Sequence, residues 1–257
     1  MKKLLLFLLV FALIFSFGCA KNDASEELVV FAAASLTETL TELAERYEAQ
    51  HPNVSIVFNF DSSGTLQTQI ENGAPCDLFI SASPKQMDAL EQAGLLISDS
   101  RFDILQNNIV LATAYGNPSN IQSFDDLIDR LQTGDILLAI GNSDVPVGQY
   151  TQKIFAFYGV DEAAVAGSIT YGTNVKEVTT QVAEAIADCG IVYATDAASA
   201  GLAVVDAATA DMCGQVIYPA AIVKDTKQEA LSRDFLDFLT SDEAGAVFAS
   251  VGFTALR

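Results

Sequence analysis

The chain is poor in histidine, in cationic side chains and in long apolar runs, and each shortage removes a class of function. One histidine, His51, occurs among the 257 residues. A His-ligated metal cluster is therefore excluded, and a Ser-His-Asp triad would have to use that residue. His51 lies in Gln50-His51-Pro52-Asn53, which reads as a turn, so a solvated or locally bonded loop histidine is expected. Lys and Arg number 13 against 33 Asp and Glu, for a net charge of −20 and a pI near 4.1. Binding a phosphate backbone needs clustered Lys and Arg to release counterions, so nucleic acid is excluded as a partner. The four cysteines include no CxxC spacing, which argues against a thiolate metal site.

What is present is the composition of a folded domain, 51% hydrophobic and 18% charged, enough to bury a core in one or two domains. The longest apolar run, residues 4–17 behind Lys2 and Lys3, falls short of the roughly 20 residues a membrane-spanning helix needs. It fits a signal-peptide core, with residues 1–18 removed. Gly18-Cys19 resembles the end of a bacterial lipoprotein signal, in which a small residue precedes a cysteine that becomes the lipidated first residue. Residues 19–27 would then form a lipid-anchored linker. Ser16 and Phe17 depart from the usual pattern, so an ordinary secretory cleavage nearby stays open. Both readings place the mature protein outside the cytoplasm. Cleavage before Cys19 removes Lys2 and Lys3 and leaves 11 cationic against 33 anionic side chains, a net −22. Cys76, Cys189 and Cys213 remain; an oxidising compartment permits one bridge and leaves one thiol over. Cys189 and Cys213 each precede an apolar run and are the expected pair, with free buried thiols as the alternative.

Short apolar runs alternate with helical patterns, the signature of an α/β fold. Strands are expected at 28–32, 54–60, 77–81, 109–113, 136–140, 190–194 and 216–223, with weaker signals at 168–171 and 202–205. Leu36, Leu40, Leu43, Ala44 and Tyr47 recur at helical spacing, as do Val175, Val178, Val182 and Ile186. Further helices are expected at 84–93, 124–131, 147–158, 227–239 and 242–249.

Four helix starts stand out. Ser35-Leu36-Thr37-Glu38 reads as a capping box, Asn174-Val175-Lys176-Glu177 as its Asn-led counterpart, Ser62-Ser63-Gly64-Thr65 opens another helix, and Pro146 reads as a first-turn proline before Val147. A helix start offers unpaired N–H groups and a partial positive charge, and so holds an anion without a cation. Taken singly such a start is only a cap, and the equally good caps at Ser83 and Ser123 are given no ligand role. These four follow apolar strands, and open α/β sheets bind ligands at the carboxyl ends of their strands.

Phe31-Ala32-Ala33-Ala34-Ser35-Leu36, Ser62-Ser63-Gly64-Thr65-Leu66 and Gly73-Ala74-Pro75-Cys76-Asp77-Leu78-Phe79-Ile80-Ser81-Ala82 occur in that order. Val145-Pro146-Val147-Gly148-Gln149-Tyr150, Gly190-Ile191-Val192-Tyr193-Ala194-Thr195-Asp196-Ala197 and Tyr218-Pro219-Ala220-Ala221-Ile222-Val223 follow. Together they resemble the substrate-binding proteins of molybdate ABC transporters across essentially the whole mature chain. The resemblance implies a two-lobe, periplasmic-binding-protein-like (Venus flytrap) α/β fold, each lobe a mostly parallel sheet flanked by helices. Two crossovers would divide the chain into lobe I (28–108 and 218–257) and lobe II (109–217). It implies one tetrahedral oxyanion, molybdate or tungstate, as ligand, with no cofactor. Molybdenum would be present only inside the oxyanion, with no direct protein ligand. Ser35 and Ser63 would each give a hydroxyl and an N–H, Val147 and Val175 backbone N–H groups, and Tyr193 a hydroxyl. The implied partner is a membrane permease, with a lipid anchor on Cys19, a monomeric state and no enzymatic activity.

Two departures from the family bear on the site. Val147 replaces a smaller residue, keeping the backbone donor while tightening the pocket. Asp61 stands beside the serines, where a carboxylate repels a dianion, so it is expected to point away or to pair with a Lys or Arg. A shell made only of donors suits a dianion without a proton, whereas hydrogen phosphate also needs an acceptor. Sulfate would be separated from molybdate by cavity size alone. A binding protein for sulfate, phosphate or another small oxyanion is the nearest alternative. A secreted hydrolase with Ser35 or Ser63 as nucleophile lacks both a G-x-S-x-G elbow and an evident base. A purely structural surface lipoprotein predicts no ligand response at all.

Overall fold

The computed structural model describes residues 26–257; the signal segment, Cys19 and the linker up to residue 25 lie outside the described residues. The first strand, β1 (Glu26–Ala33), already includes Glu26 and Glu27, which pair with Val54 and Ser55 and so belong to the sheet rather than to the linker.

A short 3-10 turn (Ala34–Leu36) leads into α1 (Thr37–Gln50), followed by β2 (Val54–Asp61), α2 (Ser63–Glu71), β3 (Leu78–Ile80), α3 (Pro84–Gln92), β4 (Phe102–Asn107) and β5 (Ile109–Thr113). Then come α4 (Phe124–Thr133), β6 (Leu138–Gly141), α5 (Pro146–Tyr158), β7 (Ile169–Gly172), α6 (Val175–Ala183), β8 (Cys189–Tyr193) and α7 (Ala194–Ser199). The chain ends with β9 (Ala203–Ala207), α8 (Ala210–Cys213), β10 (Val216–Ile222), α9 (Glu229–Leu239), α10 (Asp242–Ser250) and β11 (Thr254–Ala255).

Two sheets result, ordered β11-β4-β10-β3-β1-β2 and β7-β6-β8-β5-β9. Each is mixed. β1 runs parallel to β2 and β3, while β10 is antiparallel to β3 and β4. In the second sheet β6 is parallel to β7 and β8, and β5 is antiparallel to β8 and β9. The chain passes from the first sheet to the second at Asn108, between β4 and β5. It returns between Cys213 and Val216, because Val216 already pairs with Asn107 in the first sheet, two residues earlier than the break after residue 217.

The first sheet is buried on both faces. Leu28, Val30 and Ala32 of β1 belong to the cluster that holds Leu40 and Leu43 of α1, whereas Phe31 packs with Leu66 and Ile70 of α2. This alternation is the two-residue period of a strand covered by helices on both sides. Each leucine so removed from water contributes about 1.5–3 kcal/mol.

Register places the functional turns. β1 and β2 pair from Glu26 opposite Val54 to Ala33 opposite Asp61, so the turns carrying Ser35 and Ser63 leave the sheet side by side. In the second lobe Gly141 pairs with Gly172 at the ends of β6 and β7. The segments leading to Pro146 and to Asn174 therefore also leave together. Gly148 completes this corner: a Cβ there would lie 2.2 Å from the carbonyl oxygens of Gly141 and Asn142, so only glycine lets the first turn of α5 press on the end of β6.

Candidate functional site

Ser35 does not cap a helix. It sits in the 3-10 turn, no side chain caps that turn or α1, and the expected capping box is absent. Its hydroxyl faces inward instead, 3.0 Å from the Tyr218 hydroxyl. Asn107 lies behind that pair. The Asn107 carbonyl oxygen accepts the Asn108 N–H at 2.8 Å, which turns its NH2 toward Thr195 Oγ1 (2.9 Å) and Tyr218 Oη (3.4 Å). Tyr218 Oη thus accepts from Asn107 and shares a hydrogen bond with Ser35 in which either hydroxyl can be the donor. Burial holds the Tyr218 phenol well above its usual range, so it keeps its proton.

Ser63 behaves in parallel. The cap of α2 is Ser62, whose Oγ accepts the Thr65 N–H at 3.1 Å. Ser63 is fully buried, and its Oγ accepts the Ala82 N–H at 3.0 Å. Its own O–H is free to donate.

The second lobe supplies two helix starts. Pro146 opens α5 and has no N–H, so the first amide of that helix is that of Val147. Asn174 caps α6, its Oδ1 accepting the Glu177 N–H at 3.1 Å, and leaves the Val175 N–H without a partner in its own helix. Tyr193, at the end of β8, is buried, and its hydroxyl donates to the Ala82 carbonyl across the lobes at a long 3.5 Å.

These residues enclose a narrow cavity of about 10 Å³, room for the centre of a single water-sized group and far below the roughly 300–1,000 Å³ of pockets for organic ligands. Ser35, Ser63, Val175 and Tyr193 all line it. Val147 does not line it, being fully buried behind the lining Pro146. No Lys or Arg is among the lining residues, so an anion here would be held by hydroxyls and helix-start N–H groups.

Asp61 is the exception. It lines the cavity and pairs with neither Lys nor Arg; its Oδ1 accepts the Ser62 N–H at 2.7 Å. No Lys or Arg among the described residues takes it as a partner, which corrects the expected pairing, and the end of β2 opposite Ala33 brings it to the cavity wall.

The lobes touch on both sides of the cavity. On one side the α-carbon of Gly64 faces Asp144 so closely that an added Cβ would lie 2.2 Å from the Asp144 carbonyl oxygen. On the other, Lys176 of α6 meets Glu38 of α1 at 2.8 Å and the fully buried Asp196 of α7 at 3.2 Å.

His51 lies apart from the cavity, its ring stacked 4.1 Å from that of Tyr47, so neither serine has a histidine base. Cys76, Cys189 and Cys213 are free and buried, which corrects the expected Cys189–Cys213 bridge. Cys189 opens β8 opposite Thr113, within the field of Asp188 and Arg130. Cys213 ends α8 near Lys153, with its thiol turned to the carbonyls of Thr209 and Gly214. Burial pushes both thiols up. Among the described residues no group of three His, Cys, Asp or Glu side chains could hold a metal ion, and no helix is long and apolar enough to cross a membrane.

Tyr218, Asn107, Ala82 and Lys176 were not legible as site residues. Tyr218 lies 183 residues from Ser35, and only the sheet order brings them together.

The family model of bacterial extracellular solute-binding proteins matches residues 28–254. The chain is 37% identical over 254 residues to the molybdate-binding protein ModA of Haemophilus influenzae, covering 96% of each chain. It is 35% identical over 246 residues to a putative ABC transporter substrate-binding lipoprotein, YvgL, of Bacillus subtilis, covering 93% of this chain and 92% of that one. Among solved structures, the substrate-binding domain of a putative molybdenum ABC transporter from Clostridium difficile matches with a TM-score of 0.67 at 32% identity, over 91% of this chain and all of that one. The periplasmic molybdate-binding protein of Azotobacter vinelandii shares the fold, with a TM-score of 0.78 at 24% identity over 90% of this chain and all of that one.

Proposed function

The chain belongs to the bacterial extracellular solute-binding proteins, and from that premise we propose that it binds molybdate, or tungstate, and delivers it to an ABC transporter permease. The observation that carries the reading is the cation-free cavity between two lobes, in which two serine hydroxyls from lobe I face the helix starts of lobe II. Ser63 has its oxygen occupied by the Ala82 N–H and a proton left over, and Ser35 has a proton for the anion when Tyr218 is the donor of their shared bond. Val175 adds an N–H group at the cavity wall, and Tyr193 adds a hydroxyl when it gives up its long bond to the Ala82 carbonyl. A proton-free dianion satisfies such donors, and the curated relatives named for molybdate support that ligand over sulfate.

Anion binding would draw the lobes together, since the donors come from both, and it favours the closed form only by its differential affinity for that form. The closed shape would then dock on the permease. Lipidation of Cys19 would hold the mature protein, as a monomer, at the outer face of the cell membrane. The local donors must outweigh the repulsion of a dianion by a mature chain of net charge −22, so the attraction comes from aligned dipoles in a dry cleft rather than from net charge.

A thermal-shift series of the mature protein with molybdate, tungstate, sulfate and phosphate tests the reading. A ligand at 100 times its Kd adds about 2.7 kcal/mol of apparent stability. Stabilisation by molybdate or tungstate is expected; stabilisation by sulfate alone overturns the assignment.

A further inference from the structure

We propose that Lys176 is a positioning residue for the bound anion, an arm fixed to lobe II by buried Asp196 that holds the cleft closed by reaching Glu38 of lobe I. The inference rests on reading the cleft as an oxyanion site that opens and closes.

Three features give the arm its direction. The Asp196 side chain is fully buried, and apart from Lys176 neither of its oxygens has a partner among the described residues. Its charge partner is the Lys176 ammonium at 3.2 Å. Moving Lys176 away would strand a buried carboxylate, which is among the more costly changes a fold can undergo. Lys176 therefore stays with lobe II in the open and closed forms alike.

Glu38 is the opposite kind of partner. Its side chain is 59% exposed, so on opening it returns to water at little cost. On closure both of its oxygens take the same ammonium, at 3.0 and 2.8 Å. The pair forms only across the cleft, and it is the half of the triad that can be made and broken.

Sequence neighbours tie the latch to the ligand. Lys176 follows Val175, which lines the cavity, and Glu38 lies one helical turn beyond Ser35, which also lines it. Closing Lys176 on Glu38 therefore sets the Val175 and Ser35 donors on opposite sides of the cavity at once. Steric closeness at Gly64 and Asp144 limits closure on the far side. A partly exposed ion pair of this kind is worth about a two- to five-fold change in an equilibrium.

Spin labels on the two lobes report the closed fraction with and without molybdate, and stopped-flow fluorescence reports the rates. In Glu38→Gln the closed-to-open ratio should fall about two- to five-fold, whether or not molybdate is present. Molybdate dissociation should speed by the same factor while association stays unchanged. The difference from wild type should shrink at about 0.5 M salt, where an exposed pair is screened. Lys176→Arg should keep wild-type behaviour. A closed fraction in Glu38→Gln equal to wild type, at low salt and in both ligand states, overturns the latch. A wild-type closed fraction indifferent to molybdate, with the Glu38→Gln effect intact, overturns the ligand reading and leaves the latch standing.

Discussion

Ser35 Oγ and Tyr218 Oη share a hydrogen bond across 3.0 Å, and the Asn107 amide behind them donates to the same Tyr218 oxygen at 3.4 Å. The bond joins β10, the strand that returns from lobe II, to the turn after β1. It holds the Ser35 hydroxyl beside the cavity that Ser35 lines. Tyr218→Phe removes the hydroxyl that orients Ser35 and leaves Asn107 short of a partner. Molybdate affinity should fall about 2- to 12-fold, the range of one net hydrogen bond, with the fold retained. Unchanged affinity by titration calorimetry would show that Ser35 is oriented by something else.

Gly64 lies in the first turn of α2, where alanine suits the helix well. Across the cleft, however, an alanine Cβ would lie 2.2 Å from the Asp144 carbonyl oxygen. Gly64→Ala should leave the melting temperature of the unliganded protein near wild type and weaken molybdate binding by about 5- to 150-fold, the range of backbone overpacking. Small-angle scattering should show a more open molecule at saturating ligand. Wild-type affinity and compactness would mean that the lobes do not meet here on closure.

Much of the fold could be read from the sequence, because apolar periodicity and caps are local. The caps at Ser62 and Asn174 and the first-turn Pro146 stand where their sequence signals placed them. Strands β4 and β11 were not expected: Phe102–Asn107 interleaves polar residues with its apolar ones, and Thr254–Ala255 is too short to show a period. Ser35 misled, since Ser-x-x-Glu has the form of a capping box while its hydroxyl is claimed by Tyr218. That competition is tertiary and has no trace in local sequence. The same holds for the Asp196–Lys176–Glu38 triad, assembled from three helices.

Asp61 puts a carboxylate on the wall of a cavity assigned to a dianion. At short range such a charge costs binding energy even when partly solvated. Asp61→Asn should tighten molybdate binding at least about threefold and leave phosphate unbound. Weaker binding in the variant would instead make Asp61 an acceptor the ligand needs, which points to a protonated oxyanion.

Burial raises the Asp196 carboxyl to about 6, with Lys176 opposing the rise and Glu38 adding to it. The Tyr193 and Tyr218 phenols also feel its charge. The value exceeds the roughly 3.9 of an unfolded aspartate, so the folded protein binds this proton more tightly than the unfolded chain. Its contribution to stability therefore grows as pH falls through 6 and is complete below about 4. Denaturant melts of wild type and Asp196→Asn should differ by an amount that changes in wild type's favour between pH 7 and pH 4. A difference independent of pH across that window would contradict a buried, raised carboxyl.

The central claim is that two serines and the helix starts facing them hold a proton-free dianion between the lobes. Titration calorimetry of molybdate into wild type and into the Ser35→Ala/Ser63→Ala double variant, with sulfate and phosphate as competitors, tests it most directly. One site per chain is expected in wild type, with little competition from sulfate or phosphate and an affinity lower by about 10-fold or more in the double variant, the worth of two net hydrogen bonds. Equal molybdate affinity in the two proteins, or sulfate binding tighter than molybdate, would contradict it.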